Sequence, residues 1–444
     1  MPRENRGGPR APAVPTLRRH NAAAAGLDIG AAEIWACVPA ERDPQSVRAF
    51  GTFTPDLHAL ADWLVQCQVT SVAMESTGVY WIPSYEVLEA RGLEVYLVNA
   101  RHLKHVPGRK SDVQDCPWIQ QLHSYGLLTA SFRPAEDMRV VRTYLRQRAM
   151  LLEHRAGHIQ HMQKALPQMN VQLPQVVSDI TGQTGLAIIR AIVAGERDPQ
   201  GLARRRHGRC QRSEAEHVFA LKQALALYDF YTAQVQECDT YIEQHYAAIK
   251  PISDEPPPPW GPNPKPNSHA KNAPAFDVRA CLYQLLGFDL TATDGLEASS
   301  AQVLVAEIGT DMSKGPTEKH FASWGGLAPH NDISGGKGLR SKPLKGNRRA
   351  AQALRLAAQT LGRTQTALGS YYRRLRARKG PPQAITATAH KLARILYHVL
   401  KHRTPYQPQS QETYEQHLRQ RAIRHLKRTA TRLGFTLLPQ PVAA

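Results

Sequence analysis

The chain has 444 residues, of which 42% are hydrophobic, and it carries 56 Lys and Arg against 37 Asp and Glu, for a formal charge of +19. Because a single hydrophobic core rarely serves more than about 250–300 residues, this length predicts at least two domains. The positive charge favours nucleic acid as a partner. An apolar run of about 18–20 residues and a secretory signal are both missing, which argues against a membrane protein and predicts a cytoplasmic one.

The six cysteines lie among apolar or helical neighbours and include no C-x-x-C pair. This pattern is typical of buried, reduced thiols in a cytosol rather than of a disulfide framework or a structural zinc site.

Residues 1–22 are rich in Pro, Gly and Arg and predict a disordered basic arm. The apolar run AAAAGLDIGAAEIWACVPA and the following SVRAFGTF predict a strand pair, and DLHALADWLVQCQ predicts a helix. TSVAMES then predicts a strand, SYEVLEARG a helix and LEVYLVNA a strand. This order predicts an α/β domain with a mixed sheet over residues 23–135.

Residues 136–250 are predicted to be helical. Two long amphipathic segments, from Ala135 to Leu166 and from Ser213 to Ala248, are best interpreted as two long antiparallel helices. Their Leu, Ala, Met and Tyr residues at core spacing favour a coiled-coil-like dimerisation bundle over a catalytic element. The Pro-rich residues 251–275 predict a linker, because such sequence cannot build a core.

A second, mainly helical domain is predicted over residues 276–400. The segment CLYQLLGFDLTATDGLEASSAQVLVAEIG predicts two short helices around a turn, and a Gly-rich loop, ISGGKGLRSKPLKGNRRA, follows it. RRAAQALRLAAQTLGR is a strong helix by propensity. Residues 401–444 predict a basic helical tail.

Four acidic residues lie where strand ends and a helix start would bring them together. Asp28 lies in the first apolar strand, Glu75 closes a later strand, and Asp112 and Asp115 lie three apart on one face of a predicted helix start. We expect Gly30 to leave room beside the Asp28 carboxylate. Carboxylates in this number suit Mg²⁺, which supports phosphodiester chemistry. Taken singly, each acid is better explained as a turn cap or a partner of a helix dipole, and only the four together make a metal site an equal alternative.

Ser334 precedes two glycines and a dense set of cations. Glycines let the backbone approach a phosphate closely, and a serine hydroxyl there can attack a phosphodiester and hold the cut strand covalently. From the residues alone, a phosphate-binding turn without a nucleophile is the favoured interpretation, because a single Ser-Gly-Gly is a weak signal. The cations that accompany the serine, and that would neutralise developing charge, are Lys337, Arg340, Lys345, Arg348 and Arg349.

A second set of cationic side chains lies just before the last two acids and is interpreted as phosphate contacts beside the metal site, with a solvated loop as the alternative. Its members are His102, Lys104, His105, Arg109 and Lys110. Farther along the chain, Tyr371 and Tyr372 lie beside two arginines, which favours either stacking on unpaired bases or simple helix packing.

The motifs GLDIG, MESTGVYW and VNARHLKHVPGRKSDVQDCPWI resemble the N-terminal domain of the DEDD transposases of the IS110 family, which is similar to the RuvC and ribonuclease H fold. FASWGGLAPHNDISGGKGLRSKPLKGNRRAAQALRLAAQTL resembles the C-terminal transposase domain of that family, and GFDLTATDGL resembles its IS1111 subgroup. The basic arm, the Pro-rich spacer and the tail depart from the family pattern, so the resemblance does not extend to their roles.

The resemblance implies that Asp28, Glu75, Asp112 and Asp115 hold Mg²⁺ and that Ser334 is the catalytic nucleophile. It also implies a guide (bridge) RNA that pairs with donor and target DNA, so that the cations of the protein contact backbone. A prokaryotic, nucleoid-associated dimer or tetramer is expected, with each composite site shared between subunits. Two alternatives stay open: a metal-dependent Holliday-junction-type endonuclease acting by hydrolysis, and a non-catalytic nucleic-acid-binding scaffold.

Overall fold

The computed structural model describes residues 18–75, 78–99, 115–196, 215–259, 271–313, 315–343, 346–436 and 438. The chain divides into two compact units between Arg133 and Pro134. Within the described ranges, no helix is both long enough and apolar enough to cross a membrane.

The first unit is a five-stranded sheet with helices on both faces. Its elements are β1 Ala24–Ile29, β2 Glu33–Cys37, β3 Val47–Gly51, α1 Thr54–Gln66, β4 Ser71–Glu75, α2 Trp81–Ala90, β5 Glu94–Val98 and α3 Asp115–Ser124. The strand order is β3-β2-β1-β4-β5. β1 pairs antiparallel with β2 and parallel with β4, so the predicted mixed sheet is confirmed.

The first predicted strand is two strands in the structure. The apolar run is interrupted at Gly30, whose backbone N–H donates to the Glu33 carbonyl over 2.9 Å. A Cβ on Gly30 would lie 2.8 Å from that carbonyl oxygen. Gly30 therefore serves the tight turn between β1 and β2, rather than leaving room beside Asp28 as its spacing had suggested.

The two faces of the sheet are covered by different helices, because side chains alternate along each strand. Leu27 packs on one face in a core with Leu60 of α1 and Leu88 of α2. Ala73 packs on the other face in a smaller core with Ile119 of α3.

Gly26 allows α3 to lie directly on β1. A Cβ on Gly26 would lie 2.3 Å from the Gln120 nitrogen and 2.4 Å from the Cys116 carbonyl oxygen, both of them backbone atoms of α3. The Gln120 side chain also donates to the Ala24 carbonyl over 3.2 Å. The position of α3 is therefore set by backbone contact with the strand.

Gly26→Ala is expected to destabilise the first unit by about 1–3 kcal/mol or more, because the opposing backbone atoms can yield only if the helix moves. Urea unfolding measures the change. Gly157→Ala is the matched control: a Cβ there meets no atom within 4 Å, and a helical alanine should be neutral or stabilising by up to about 1 kcal/mol. Equal unfolding midpoints for Gly26→Ala and the wild type would show that α3 does not rest on this strand.

His123 anchors the far end of α3 to the sheet. Its ring is 1% exposed, shares a 3.0 Å hydrogen bond with the Ser71 hydroxyl, and lies 4.5 Å from the Tyr96 ring, centroid to centroid. Burial lowers the pKa of His123 to about 4. The ring is therefore neutral in the folded protein over a pH range in which an exposed histidine is charged.

The first unit is expected to lose stability as the pH falls from about 6.5 to about 4. The unfolded chain protonates His123 near its ordinary pKa of 6.5, whereas the folded ring resists protonation down to about 4. The unfolded state therefore binds more protons in this window, and stability rises with pH across it. Urea midpoints measured over this range should fall less steeply for His123→Gln than for the wild type. An identical slope for the two proteins would contradict the prediction.

The second unit is mainly helical, as predicted, with a single β-hairpin among its described residues. Its elements are α4 Glu136–Gln168, α5 Leu173–Val176, α6 Gln183–Val193, α7 Ala215–Ala248, α8 Val278–Leu286, α9 Ala298–Ile308, α10 Glu318–Trp324, β6 Pro329–Ser334, β7 Lys337–Pro343, α11 Arg348–Thr360, α12 Ala367–Lys379, α13 Pro381–His402 and α14 Gln411–Arg432.

The long helices α4 and α7 form the predicted antiparallel pair. The His245 ring lies 3.1 Å from the Asp137 carbonyl oxygen near one end, and the His154 ring stacks on Tyr231 at 5.6 Å farther along. Residues near the start of α4 therefore contact residues near the end of α7, and residues farther along α4 contact earlier residues of α7, as in an antiparallel pair. One end of the pair joins a large core with α8 to α13, and the other end packs with α5 and α6.

A buried ion pair joins the middle of the two long helices. Arg148 donates to both oxygens of Asp239, over 2.5 and 3.2 Å. Asn272, in the Pro-rich segment, accepts from Arg148 through its carbonyl at 3.1 Å and from Arg155 through its side chain at 2.8 Å. The C-terminal end of the predicted linker is therefore hydrogen-bonded to the helix pair.

Candidate functional site

Asp28 and Glu75 lie side by side at one edge of the first unit's sheet. The parallel register pairs Leu27 with Met74, so the next residues on β1 and β4 are Asp28 and Glu75. Both stand at the carboxyl ends of their strands, project to the face that α3 covers, and are half-buried. The predicted juxtaposition of these two acids follows from the observed register.

Asp115 opens α3 at the same corner of the sheet. The helix runs antiparallel to β1, with Gln120 near Ala24 and Cys116 over Gly26, so its first turn points toward the end of β1 that carries Asp28. Burial raises the pKa of the Cys116 thiol to about 12, and the charges of Asp28 and Asp115 act in the same direction. Two of the carboxylates are thus close enough to act on one thiol.

Asp112 lies outside the described residues, as do His102, Lys104, His105, Arg109 and Lys110. Among the residues that are described, no three His, Cys, Asp or Glu side chains are placed to hold a metal ion. The three described acids share one corner of the sheet without closing around an ion position. Their oxygen donors suit Mg²⁺ in type.

Ser334 ends β6 at the tip of the hairpin in the second unit. It pairs with Lys337 across a two-residue turn in which Gly335 and Gly336 have φ values of +55° and +77°. Glycine adopts this left-handed backbone without strain, which makes it suitable for a tight hairpin turn. Ser334 and Lys337 are exposed. The segment predicted as a Gly-rich loop is therefore a β-hairpin that presents the serine at its tip.

The base of the hairpin is fixed by a contact that only glycine permits. A Cβ on Gly346 would lie 2.2 Å from the Trp324 carbonyl oxygen and 2.3 Å from the Gly326 nitrogen. The next backbone N–H, of Asn347, donates to the same Trp324 oxygen over 3.3 Å. The chain segments that enter and leave the hairpin are therefore held together.

A buried carboxylate supports this base from behind. Glu307 is 2% exposed, and it accepts from Arg146 over 3.0 and 2.8 Å and from the Asn347 amide over 3.1 Å. Burial raises the pKa of Glu307, but these hydrogen bonds outweigh it and leave the pKa below its usual value. Sequence reasoning missed this network. Its one local signal is a carboxylate at the end of the apolar segment AQVLVAEIG.

Three of the remaining predicted contacts lie at the start of α11 and on β7. Arg348 and Arg349 are exposed in the first turn of α11, where positive side chains oppose the helix dipole unless an anion binds. The side chain of Arg340, and Lys345 as a whole, lie outside the described part.

Tyr372 is 4% exposed, which favours helix packing over base stacking for this side chain.

Two family models match the chain. DEDD_Tnp_IS110, described as a transposase, matches residues 25–171, and a model described as the transposase IS116/IS110/IS902 family matches residues 289–373. The first range contains the four predicted acids, and the second contains the Ser334 hairpin. The mixed sheet of the first unit is consistent with a RuvC- and ribonuclease H-like fold.

A curated relative also matches part of the chain. It is the insertion element IS110 uncharacterized 43.6 kDa protein of Streptomyces coelicolor, which is 34% identical over 121 residues. The match covers 27% of this chain and 29% of the relative. The chain thus matches less than a third of that relative's length.

Proposed function

We propose, because the chain carries the two transposase domains of the IS110 family, that it is an insertion-sequence transposase that cuts and rejoins DNA. Ser334 is the proposed nucleophile, beside a Mg²⁺-binding set of acids. The observation that supports the proposal is that acids from three elements lie at one corner of the sheet, while a β-hairpin presents an exposed serine at its tip.

In the proposed reaction, the Ser334 hydroxyl oxygen attacks a DNA phosphorus. A serine–phosphate bond forms, the bond from phosphorus to the leaving deoxyribose oxygen breaks, the serine gives up its proton, and the leaving oxygen takes one. Lys337, paired with Ser334 across the turn, is placed to offset charge on the phosphate oxygens. Attack by a hydroxyl of a second strand releases the serine and joins the two strands.

Asp28, Glu75, Asp112 and Asp115 are the proposed Mg²⁺ ligands. The bound ion would stabilise charge on the reacting phosphate and activate the attacking or leaving oxygen. The backbone determines the positions of three of these acids. Asp28 and Glu75 lie on neighbouring paired strands, and Asp115 begins the helix that packs on Gly26. The cations of residues 102–110 are proposed to hold the adjoining phosphates.

The proposed active centre is shared between subunits of a dimer or tetramer. The serine stands at the end of a six-residue strand, roughly 20 Å from the base of the hairpin, and this projection supports a site completed by another chain. The sequence resemblance further supports membership of the IS1111 subgroup and a bridge RNA that selects donor and target DNA. Such an enzyme would act on chromosomal DNA in the prokaryotic nucleoid.

Trapping the protein on DNA tests this function. Wild-type protein incubated with Mg²⁺ and DNA from the ends of its element, together with RNA transcribed from the flanking sequence, is expected to form an adduct that resists denaturation. Peptide mapping should place the phosphate within residues 329–343. Clean nicks without an adduct would favour the hydrolytic endonuclease. Binding without any cleavage would favour the scaffold.

A further inference from the structure

The C-terminal helix α14 is docked by its first two turns only. Tyr414 and Leu418 are half-buried, whereas every residue from Arg419 to Arg428 is exposed, and the helix has no fully buried residue. Residues 419–432 carry six Lys and Arg and no acid. At the helical rotation of about 100° per residue, five of the six cations fall within a face about 140° wide: Arg421, Arg424, Lys427, Arg428 and Arg432.

The docked end of this helix meets two cations that lie over tyrosine rings. Lys391 Nζ is 4.5 Å from the centroid of the Tyr371 ring and 5.6 Å from that of Tyr414. The guanidinium carbon of Arg374 is 5.9 and 6.0 Å from the same two centroids. The Tyr414 hydroxyl is buried and has no hydrogen-bond partner among the described residues. Two aromatic rings from α12 and α14 thus form a floor beneath the cations.

Three of the four cations at this floor have no carboxylate partner among the described residues. Burial lowers the pKa of Lys391, and the charges of Arg374, Arg394 and Arg421 lower it further, so all three arginines are close enough to Lys391 to repel its charge. Arg394 forms an ion pair with Glu318. For the other three, no ion pair occurs within the ranges that the structure describes. Gathering like charges in this way costs free energy that a bound polyanion recovers.

We propose that the cationic face of α14, together with Arg374 and Lys391, binds the phosphate backbone of duplex DNA. The surface uses no residue of the Ser334 hairpin and does not depend on the proposed chemistry. The part of α14 beyond its docked turns, residues 419–432, is about 21 Å long. Such a helix fits the major groove of B-form DNA, whereas the major groove of A-form RNA is too deep and narrow to admit it. Duplex DNA is therefore the favoured occupant.

A salt titration tests the proposal in the full chain. The triple variant Arg374→Gln, Lys391→Met and Arg421→Gln removes three charges, and methionine keeps the apolar stem over the tyrosines. Each phosphate contact contributes about −0.9 to the slope of log K against log salt, so the slope for a random-sequence DNA duplex should become shallower by about 2–3. Binding should weaken similarly for all DNA sequences.

The matched control is Lys164→Gln, Lys222→Gln and Lys250→Gln, which removes the same charge from exposed positions on or next to the long helices. Its slope should stay within about 1 of the wild type. Equal slope changes in the two triple variants would overturn the proposal. So would weakening that is confined to duplex RNA.

A second measurement uses the wild-type protein, so it does not depend on how the variants fold. Lysine acetylation is mapped with and without saturating DNA duplex. Lys391 should be protected by DNA at least several-fold more than exposed Lys222. Equal labelling of Lys391 in both samples would contradict a DNA contact at this surface.

Discussion

Ser334→Ala is expected to abolish the denaturation-resistant DNA adduct and to lower recombination by on the order of 10⁴-fold or more, because the nucleophile itself is removed. The measurement is the adduct yield on a denaturing gel, with recombined DNA counted by sequencing. Because Ser334 is exposed at the hairpin tip, the substitution should change stability by no more than about 0.5 kcal/mol.

Ser323→Ala is the control for this experiment. Ser323 is also exposed, but it lies on α10, outside the hairpin, and its variant should form the adduct at the wild-type level. An adduct that persists in Ser334→Ala would remove this serine from the mechanism. If hydrolytic nicks continued there without an adduct, the phosphate-binding role of the hairpin would be favoured.

Asp28→Asn and Asp115→Asn are each expected to lower adduct formation by about 10²- to 10⁴-fold. The loss of a metal-binding carboxylate removes several kcal/mol of charge stabilisation, and each 1.36 kcal/mol corresponds to about tenfold in rate. The test is adduct yield over a Mg²⁺ titration, with chelator as the zero point. Both variants should require more Mg²⁺ than the wild type.

Asp62→Asn is the matched control, since Asp62 is an exposed acid of α1 paired with Arg91. It should leave both yield and Mg²⁺ dependence unchanged. Full recombination in chelator would remove the metal from the mechanism.

A shared active centre further predicts that mixing Asp28→Asn with Ser334→Ala protein restores part of the activity, which neither variant has alone.

The sheet and two of its acids were predictable because their signals are local. Apolar runs bounded by turn residues mark the strands, and Asp28 and Glu75 stand at strand ends in the sequence itself. The roles of the glycines were not predictable in the same way. The motif GLDIG contains two glycines. Only the folded chain shows that Gly26 contacts the backbone of a helix about 90 residues away in sequence, whereas Gly30 lies in a tight turn.

The hairpin around Ser334 escaped prediction because its strands are largely polar and lack a buried apolar face. Strand prediction relies on one buried face, which produces an alternation of apolar and polar residues. Ile333 and Leu339 of the hairpin are 66% and 71% exposed. Because its apolar side chains are not buried, the hairpin does not need an alternation of apolar and polar residues. The Glu307 network was also invisible, since it joins three segments that are distant in sequence.

The buried ion pair between Arg148 and Asp239 gives α4 and α7 a single alignment. Leu, Met and Ala side chains at the ends can exchange neighbours if one helix slides by a turn, but Asp239 would then be buried without the guanidinium of Arg148. Leaving a buried charge without its partner lowers the stability of the fold by about 3–5 kcal/mol. The ion pair therefore fixes the register of the two helices. A residue inserted into only one of them would form a local bulge in that helix, because sliding one helix along the other would break the ion pair.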